Sequence, residues 1–169
     1  LKHGHPKVTP PAILGHELVG VIAAIGHEAA LAYPGFSVGD RIVMAPGIAC
    51  LKCDPCIRGR RRACKDMVGV GYQLPGGFAE YLTVPARAAC NFLRVPDGTA
   101  NEYAALMEPL ACCVHGQSIA GASLGDTVAV FGAGAIGCMQ GELARLSGAT
   151  KIVMLDPVPN KLELARKVT

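Results

Sequence analysis

The sequence predicts an α/β fold in which a part rich in short β-strands precedes a strand–helix–strand unit. Three observations lead to this prediction: short apolar runs separated by Gly and Pro in the first part, a helical pattern from about residue 100, and two apolar runs around a helical pattern between residues 127 and 156. Short strands bounded by Gly and Pro are typical of a small barrel-like sheet. Strands that alternate with helices are typical of a parallel α/β unit.

The β-rich part contains four stretches in which we expect strands, and a helical segment follows them. The helical pattern begins near Ala100 and continues to Ile119. We place a domain boundary inside this segment, which gives domains of residues 1–110 and 111–169. The expected strands lie within Leu18–Gly26, Val38–Ala45, Gly77–Pro85 and Asn91–Pro96.

The strand–helix–strand unit occupies residues 127–156. Thr127–Phe131 is an apolar run that predicts a buried strand, and a helical pattern follows it. This pattern stops at Gly148, and a glycine commonly ends a helix at such a position. The second apolar run, Ile152–Leu155, ends on Asp156. The order of these segments is that of a βαβ unit.

A glycine-rich turn joins the first strand to the helix and matches the pattern G-x-G-x-x-G. Gly132 allows the tight turn, Gly134 lets the backbone approach a pyrophosphate, and Gly137 lets the helix and the strand pack closely. The helix N-terminus around Ile136 offers N–H groups to the phosphates. Asp156 follows Gly137 by 19 residues and can accept hydrogen bonds from an adenosine ribose. The complete unit therefore predicts a dinucleotide site.

Four of the eight cysteines lie within fifteen positions, in the pattern C-x2-C-x2-C-x7-C. The short gaps let the thiolates converge on one ion, and four sulfur ligands with no open position are typical of structural zinc. A DNA-binding zinc module and an iron–sulfur site are the alternatives, and neither accounts for the dinucleotide unit downstream. The expected ligands are Cys50, Cys53, Cys56 and Cys64.

The net charge of +3 is a local feature of the sequence. Six basic residues and one acidic residue lie between Lys52 and Lys65, whereas the rest of the chain has ten basic and twelve acidic residues. Zinc bound by four thiolates carries a formal charge of −2, which this basic cluster can compensate. The cluster therefore needs no nucleic acid partner to explain it.

Hydrophobic residues make up 51% of the chain, enough for a packed core. The longest apolar run, Val128 to Met139, is too short and too rich in glycine to span a bilayer. We therefore expect no membrane partner and a cytoplasmic location. The remaining cysteines are expected to be small core residues; they are Cys90, Cys112, Cys113 and Cys138.

The pair His16-Glu17 directly precedes the first expected strand. At the start of a strand, both side chains would lie at the edge of a site rather than in the middle of a core. A His-Glu pair by itself is more often structural than metal-binding, and only the wider context favours a ligand role. His3 and His5 could also be ligands, but near the terminus we expect them to be solvated.

Three motifs stand in one order along the chain: Gly15-His16-Glu17, the four-cysteine cluster, and the dinucleotide unit that ends on Asp156. Together they resemble the zinc-dependent medium-chain alcohol dehydrogenase family. The segments Val38–Arg41 and Gly77–Tyr81 are also similar to that family. Glu108–Ala111 most resembles the sorbitol (polyol) and threonine dehydrogenase branch.

The resemblance implies a GroES-like β domain followed by the first half of a Rossmann domain, with a catalytic zinc in the cleft between them. It implies that His16 is a ligand of this zinc. It also implies that Glu17 either binds the zinc or exchanges with a water molecule as its ligand. Glu108 would bind the metal directly or through water. Asp156 would select NAD over NADP, because a carboxylate repels a 2′-phosphate, and Lys161 would lie near the adenosine ribose.

The implied reaction is the transfer of a hydride from a polyol or a secondary alcohol to NAD, with zinc lowering the pKa of the alcohol. An L-threonine 3-dehydrogenase activity is an alternative, as is a non-catalytic zinc-stabilised binding module derived from such an enzyme. The segment Cys50–Cys64 argues against a zinc-free relative of the quinone reductase type. The whole protein is expected to be a homo-oligomer, either a dimer or a tetramer.

The sequence also departs from the family pattern. The first zinc-ligating cysteine of the family lies further upstream than the fifteen residues that precede His16 here, and none of these fifteen is Cys. At the other end, the chain stops after Lys161–Thr169, the expected second Rossmann helix. We therefore expect an internal fragment of a chain roughly twice as long, and we expect this fragment to be inactive by itself.

Overall fold

The computed structural model describes residues 5–167 and divides the chain into two compact units, residues 1–108 and 109–169. The domain boundary predicted from the sequence, at residue 110, lies two residues beyond this division (110 − 108). His3 and the end of the predicted helix Lys161–Thr169 lie outside the described residues. No helix within residues 5–167 is both long enough and apolar enough to cross a membrane.

The first unit contains short strands and short helices. Its α-helices are α1 (His27–Ala32), α2 (Asp54–Ile57) and α3 (Asn101–Ala105), with 3₁₀ helices at Arg61–Ala63 and Ala86–Asn91. Helix α4 (Met107–Ala120) crosses the division between the units. The strands are β1 (Val19–Val21), β2 (Arg41–Met44), β3 (Gly47–Ile48), β4 (Val68–Gly69) and β5 (Phe92–Arg94).

The strands form one antiparallel sheet in the order β1-β2-β5 and one antiparallel pair, β3-β4. In the larger sheet, Val43 of β2 lies opposite Val19 of β1 and Leu93 of β5. Three of the four predicted strands are confirmed by β1, β2 and β5, although each is shorter than predicted. The main core cluster consists of Met44, Ile48, Val70 and Ala88, all at most 5% exposed.

The prediction of a strand within Gly77–Pro85 is wrong, because no strand forms there. The backbone N–H groups of Gly77 and Phe78 donate instead to the carbonyl oxygens of Gly15 and Leu14. This pairing is too short for a ladder, and Phe78 is 80% exposed. This segment therefore makes a short pairing with a distant loop and does not form a strand of the sheet.

The second unit contains β6 (Thr127–Phe131), α5 (Ala135–Leu146), β7 (Lys151–Leu155) and α6 (Pro159–Ala165). Strands β6 and β7 are parallel and in register from Thr127↔Lys151 to Phe131↔Leu155. Helix α5 packs on both strands and ends before Gly148, whose φ is +96°. The predicted strand–helix–strand order is therefore confirmed.

The prediction that Thr127–Phe131 is a buried strand is wrong. Alternate residues of β6 and of β7 are exposed, and the exposed fraction of Phe131 reaches 83%. Side chains alternate between the two faces of a strand, so a sheet of two strands covered by a helix on one face leaves the other face open. The apolar run showed that the strand exists but not how many of its faces are covered.

Candidate functional site

Three predicted metal ligands come together in the structure. The ligand atoms of His16, Glu17 and Glu108 all lie within 4.8 Å of one another. His16 and Glu108 are half-buried, while Glu17 is exposed. Ligands about 2.1 Å from one tetrahedral zinc ion lie roughly 3.4 Å apart. The donor set therefore suits zinc, because its three ligand atoms are close enough for one ion to be bound directly or through a bridging water molecule.

The backbone before His16 is held by close contacts that only glycine permits. Gly15 has φ +99°, and a Cβ atom there would lie 3.1 Å from the backbone nitrogen of Phe78. A Cβ atom at Gly71 would lie 2.8 Å from the carbonyl oxygen of Gly15. Since Gly15 also accepts a hydrogen bond from Gly77 at 2.8 Å, the loop that carries His16 is fixed on two sides.

Glu108 lies in the first turn of α4. The first N–H groups of an α-helix have no partner within the helix and create a positive electrostatic potential at its N-terminus. A carboxylate at this position interacts favourably with the positive end of the helix dipole. Pro109, the next residue, is buried and fits the first turn because its missing N–H group is not needed there.

Tyr72 is a neighbour of the candidate metal ligands that the sequence analysis missed. The centroid of its ring lies 5.2 Å from that of the His16 imidazole and 5.3 Å from that of His5. The prediction that His5 is solvated is therefore wrong: His5 is half-buried against Tyr72. Two glycines, at positions 69 and 71, precede Tyr72 and indicate a turn, but they do not indicate that its ring contacts His16.

The four-cysteine cluster has the spacing that zinc requires. In a tetrahedral ZnS₄ site with bonds of about 2.3 Å, the sulfur atoms lie roughly 3.8 Å apart. Here the Sγ atom of Cys53 lies 3.5 Å from that of Cys56 and 3.9 Å from that of Cys64. The fourth sulfur, from Cys50, lies within 4.8 Å of the others. The cluster therefore fits a single zinc ion with no open position.

Backbone geometry brings the cysteines into this arrangement. The N–H group of Cys53 donates to Sγ of Cys50 at 3.4 Å, and the N–H group of Cys50 donates to Sγ of Cys64 at 3.2 Å. Leu51 adopts φ +63°, a left-handed conformation that is unfavourable for a leucine. A conformation of this kind persists only where its surroundings impose it, and here it allows the tight turn between Cys50 and Cys53.

The thiols of the cluster differ in acidity. Hydrogen bonds from backbone N–H groups, that of Lys65 first, lower the pKa of Cys53 to about 6. Burial raises the pKa of Cys56 to about 12. At neutral pH the Cys56 thiol is therefore protonated in the metal-free protein, and zinc must displace that proton to bind.

The basic residues around the four-cysteine cluster are exposed, so solvent screens their attraction to the negative charge of the zinc-bound thiolates. Arg58 forms an ion pair with Asp54 at 2.8 Å, and both side chains are about two-thirds exposed. Exposed ion pairs of this kind contribute little to stability. The residues concerned are Lys52, Arg58, Arg60, Arg61, Arg62 and Lys65.

The glycine-rich turn of the second unit is shaped for close contacts. Gly132 has φ +103°, which allows the tight turn out of β6. A Cβ atom at Gly137 would lie only 1.8 Å from the carbonyl oxygen of Gly132. At Gly134, by contrast, no atom lies within 4 Å of a Cβ position, so this side of the turn is open to a ligand. Helix α5 begins at Ala135 and directs its N-terminal N–H groups towards this opening.

Asp156 ties the second strand to the glycine-rich turn. One carboxylate oxygen accepts a hydrogen bond from the backbone N–H group of Ala133 at 2.9 Å, and the other accepts one from the N–H group of Val158 at 2.8 Å. These two hydrogen bonds lower the pKa of Asp156 below its ordinary value, and Lys161, 3.8 Å away, acts in the same direction. Each carboxylate oxygen can accept a second hydrogen bond. Asp156 is therefore ionised, and its oxygens keep acceptor capacity, while its side chain is only 6% exposed.

Comparison with known proteins gave matches over nearly the whole chain. The family model of the alcohol dehydrogenase GroES-like domain matches residues 1–97. L-Threonine 3-dehydrogenase of Pectobacterium carotovorum subsp. carotovorum (strain PC1) is 40% identical over 158 residues, which are 94% of this chain and 44% of that protein. This chain thus spans less than half the length of that curated relative.

Two solved structures are similar to both units. A zinc-binding dehydrogenase from Sinorhizobium meliloti 1021, bound to NADP, has a TM-score of 0.84 and 37% identity, and the match covers 95% of this chain and 45% of that chain. Galactitol-1-phosphate dehydrogenase from Escherichia coli has a TM-score of 0.86 and 29% identity, with 99% of this chain and 46% of that chain covered. The predicted fold class, a GroES-like domain followed by the first half of a Rossmann domain, is confirmed.

Proposed function

The chain belongs to the zinc-dependent medium-chain alcohol dehydrogenase family, and on this premise we propose that the whole protein transfers a hydride from a polyol or a secondary alcohol to NAD. The observation that carries the proposal is the cluster of His16, Glu17 and Glu108 within 4.8 Å. A histidine and carboxylates with room for a further ligand are the donor set of a catalytic zinc site, whereas the four cysteines offer no open position.

Each residue of the cluster has a defined task in this proposal. The His16 imidazole and the Glu108 carboxylate, both half-buried, hold the ion, and the exposed Glu17 carboxylate binds it or exchanges with water. A zinc ion bound there acts as a Lewis acid and lowers the pKa of an alcohol hydroxyl group. The contacts around Gly15 fix the backbone that carries His16, and a fixed backbone favours binding in one geometry.

The residues of the second unit hold the cofactor. The opening at Gly134 admits the pyrophosphate, and the N-terminus of α5 supplies N–H groups to it. Ile136 and Gly137 lie in the first turn of this helix. Asp156 accepts hydrogen bonds from the hydroxyl groups of the adenosine ribose. Lys161 lies beside Asp156.

We predict that Asp156→Asn narrows the preference of the whole protein for NAD over NADP. Hydrogen bonds from two backbone N–H groups lower the pKa of Asp156, so the carboxylate stays ionised and its charge repels a 2′-phosphate throughout the working pH range. Like charges in contact cost several kcal/mol, so the ratio of kcat/KM for NAD to that for NADP should fall at least roughly tenfold. The measurement is kcat/KM with each cofactor.

The matched control is Glu163→Gln, which removes the same charge from an exposed position of α6 and should leave the ratio unchanged. One similar structure holds NADP, so an unmodified protein that prefers NADP is the result that would contradict the role given to Asp156.

L-Threonine is the second candidate substrate. The curated relative that is 40% identical is an L-threonine 3-dehydrogenase, and the hydroxyl group that such an enzyme oxidises is itself a secondary alcohol. A panel of polyols, simple secondary alcohols and L-threonine, assayed with the whole protein by NADH formation, separates the two candidates. A protein that binds zinc but oxidises no member of the panel would instead be the zinc-stabilised binding module considered above.

We predict that residues 1–169 alone show no dehydrogenase activity. Among the described residues, the cluster of candidate catalytic ligands consists of His16, Glu17 and Glu108 without a cysteine, and the described part of the second unit has two parallel strands. The assay is NADH formation at saturating NAD with the substrate panel. Zinc-dependent turnover that His16→Ala abolishes would contradict this prediction.

Location and assembly are also proposals. We place the protein in the cytoplasm because the four-cysteine cluster needs reduced thiols, which a reducing compartment maintains. The homo-oligomer, dimer or tetramer, implied by the family resemblance stays a prediction, and light scattering of the whole protein would measure it.

A further inference from the structure

We propose that Tyr72 is a positioning residue for the candidate metal ligand His16. The inference rests on the proposed function, since it concerns how His16 faces the ion. Its starting point is the surroundings of the His16 imidazole. Within residues 5–167 this imidazole makes no hydrogen bond, and its ring contact is with Tyr72 at 5.2 Å between centroids and 39° between planes.

A histidine that binds a metal usually donates its second N–H group to a carboxylate or a carbonyl oxygen, which fixes the direction of the ring. His16 has no such partner in the described part of the chain. Packing against an aromatic ring is the other way to restrict the rotation of an imidazole, and aromatic pairs at this separation attract each other. The Tyr72 ring therefore takes the place of the usual hydrogen-bond partner.

The Tyr72 ring is itself held in one place. The backbone N–H group of Tyr72 donates to the carbonyl oxygen of Gly69 at 3.2 Å, and the backbone N–H group of Gly69 donates to the side-chain oxygen of Gln73 at 2.8 Å. A Cβ atom at Gly69 would lie 2.8 Å from Cδ2 of Tyr72, so the ring packs directly on this glycine. The Tyr72 ring also contacts the His5 imidazole, and the centroids of these two rings lie 5.3 Å apart.

The turn that carries Tyr72 also touches the loop that carries His16. A Cβ atom at Gly71 would lie 2.8 Å from the carbonyl oxygen and 3.0 Å from the carbonyl carbon of Gly15. Gly71 and Gly15 are the immediate chain neighbours of Tyr72 and His16. The two rings thus belong to backbones in direct contact, which fixes the distance between the two side chains.

The test uses the whole protein with cobalt(II) in place of the catalytic zinc, because the visible d–d spectrum of cobalt reports ligand geometry. Tyr72→Phe keeps the ring and should keep the spectrum, the metal affinity and kcat. Tyr72→Leu should change the spectrum, weaken metal binding by about tenfold to a hundredfold, and lower kcat more than it changes KM. Tyr81→Leu, at a tyrosine that is 80% exposed, is the matched control and should behave as the unmodified protein.

An unchanged cobalt spectrum and unchanged metal affinity in Tyr72→Leu would overturn the proposal. Tyr72→Met supplies a second variant without a ring; if neither variant folds, Tyr72 is needed for the fold and the positioning role is likewise overturned. Failure of the proposed function gives a different result. In that case the His16→Ala variant has the same cobalt spectrum as the unmodified protein, because His16 does not bind the metal.

Discussion

Replacing Cys64 by serine is expected to remove one zinc ion from each chain and to unfold the loop of residues 50–64. Cys64 lies 3.9 Å from the sulfur of Cys53 and accepts the N–H group of Cys50, so it closes both the metal site and the loop. Structural zinc binds with about 10–16 kcal/mol, or roughly 3 kcal/mol for each of four thiolates. Loss of one thiolate should therefore weaken zinc binding by about a hundredfold or more.

The measurement is native mass spectrometry of the whole protein after exposure to a chelator. Cys138→Ser is the matched control, because Cys138 is half-buried in the second unit and should leave the zinc content unchanged. If Cys64→Ser retained its zinc as the control does, Cys64 would not be a ligand.

Replacing Gly137 by alanine is expected to disrupt both the second unit and cofactor binding. The new Cβ atom would lie 1.8 Å from the carbonyl oxygen of Gly132, and Gly132 is anchored by a hydrogen bond of 2.7 Å to Leu155. Both contact partners are backbone, so α5 itself has to move by about 1 Å or more. Overpacking of this kind costs about 1–3 kcal/mol and sometimes more. The displaced helix N-terminus can then no longer meet the pyrophosphate.

Gly134→Ala separates the two effects. No atom lies within 4 Å of a Cβ position at Gly134, and its φ of −86° suits alanine, so the stability of this variant should change by less than about 0.5 kcal/mol. The added methyl group would nevertheless lie where we propose that the pyrophosphate approaches, so NADH binding should weaken. Thermal unfolding and fluorescence titration with NADH measure the two properties. A Gly137→Ala protein that unfolds and binds NADH as the unmodified protein does would contradict the packing described for the turn.

Local patterns in the sequence predicted those elements whose structure depends on local chemistry. The run Thr127–Phe131, the helix that ends before Gly148 and the strand before Asp156 were found because periodicity and glycine position determine them. The cysteine spacing likewise led to four sulfur atoms close to one another. Helix α1 (His27–Ala32) was missed although its residues include three alanines, which favour a helix.

Features that depend on distant contacts could not be predicted in this way. The exposure of Phe131 depends on what covers the second face of a sheet, and a strand pattern does not contain that information. The segment after Gly77 alternates like a strand, but its partners are Leu14 and Gly15. Tyr72 was missed because its importance lies in its contact with His16, which is 56 positions away (72 − 16).

The most direct test of the central claim is the zinc content of the whole protein in three forms, measured together with turnover. We expect two zinc ions in each chain of the unmodified protein and one in both His16→Ala and Cys64→Ser. A Lewis acid supplies several kcal/mol to such a reaction, so kcat/KM of His16→Ala should fall by roughly a thousandfold or more, while its thermal stability stays close to that of the unmodified protein. A His16→Ala protein that keeps two zinc ions and full turnover would contradict the assignment of His16 and its neighbouring carboxylates as the catalytic metal site.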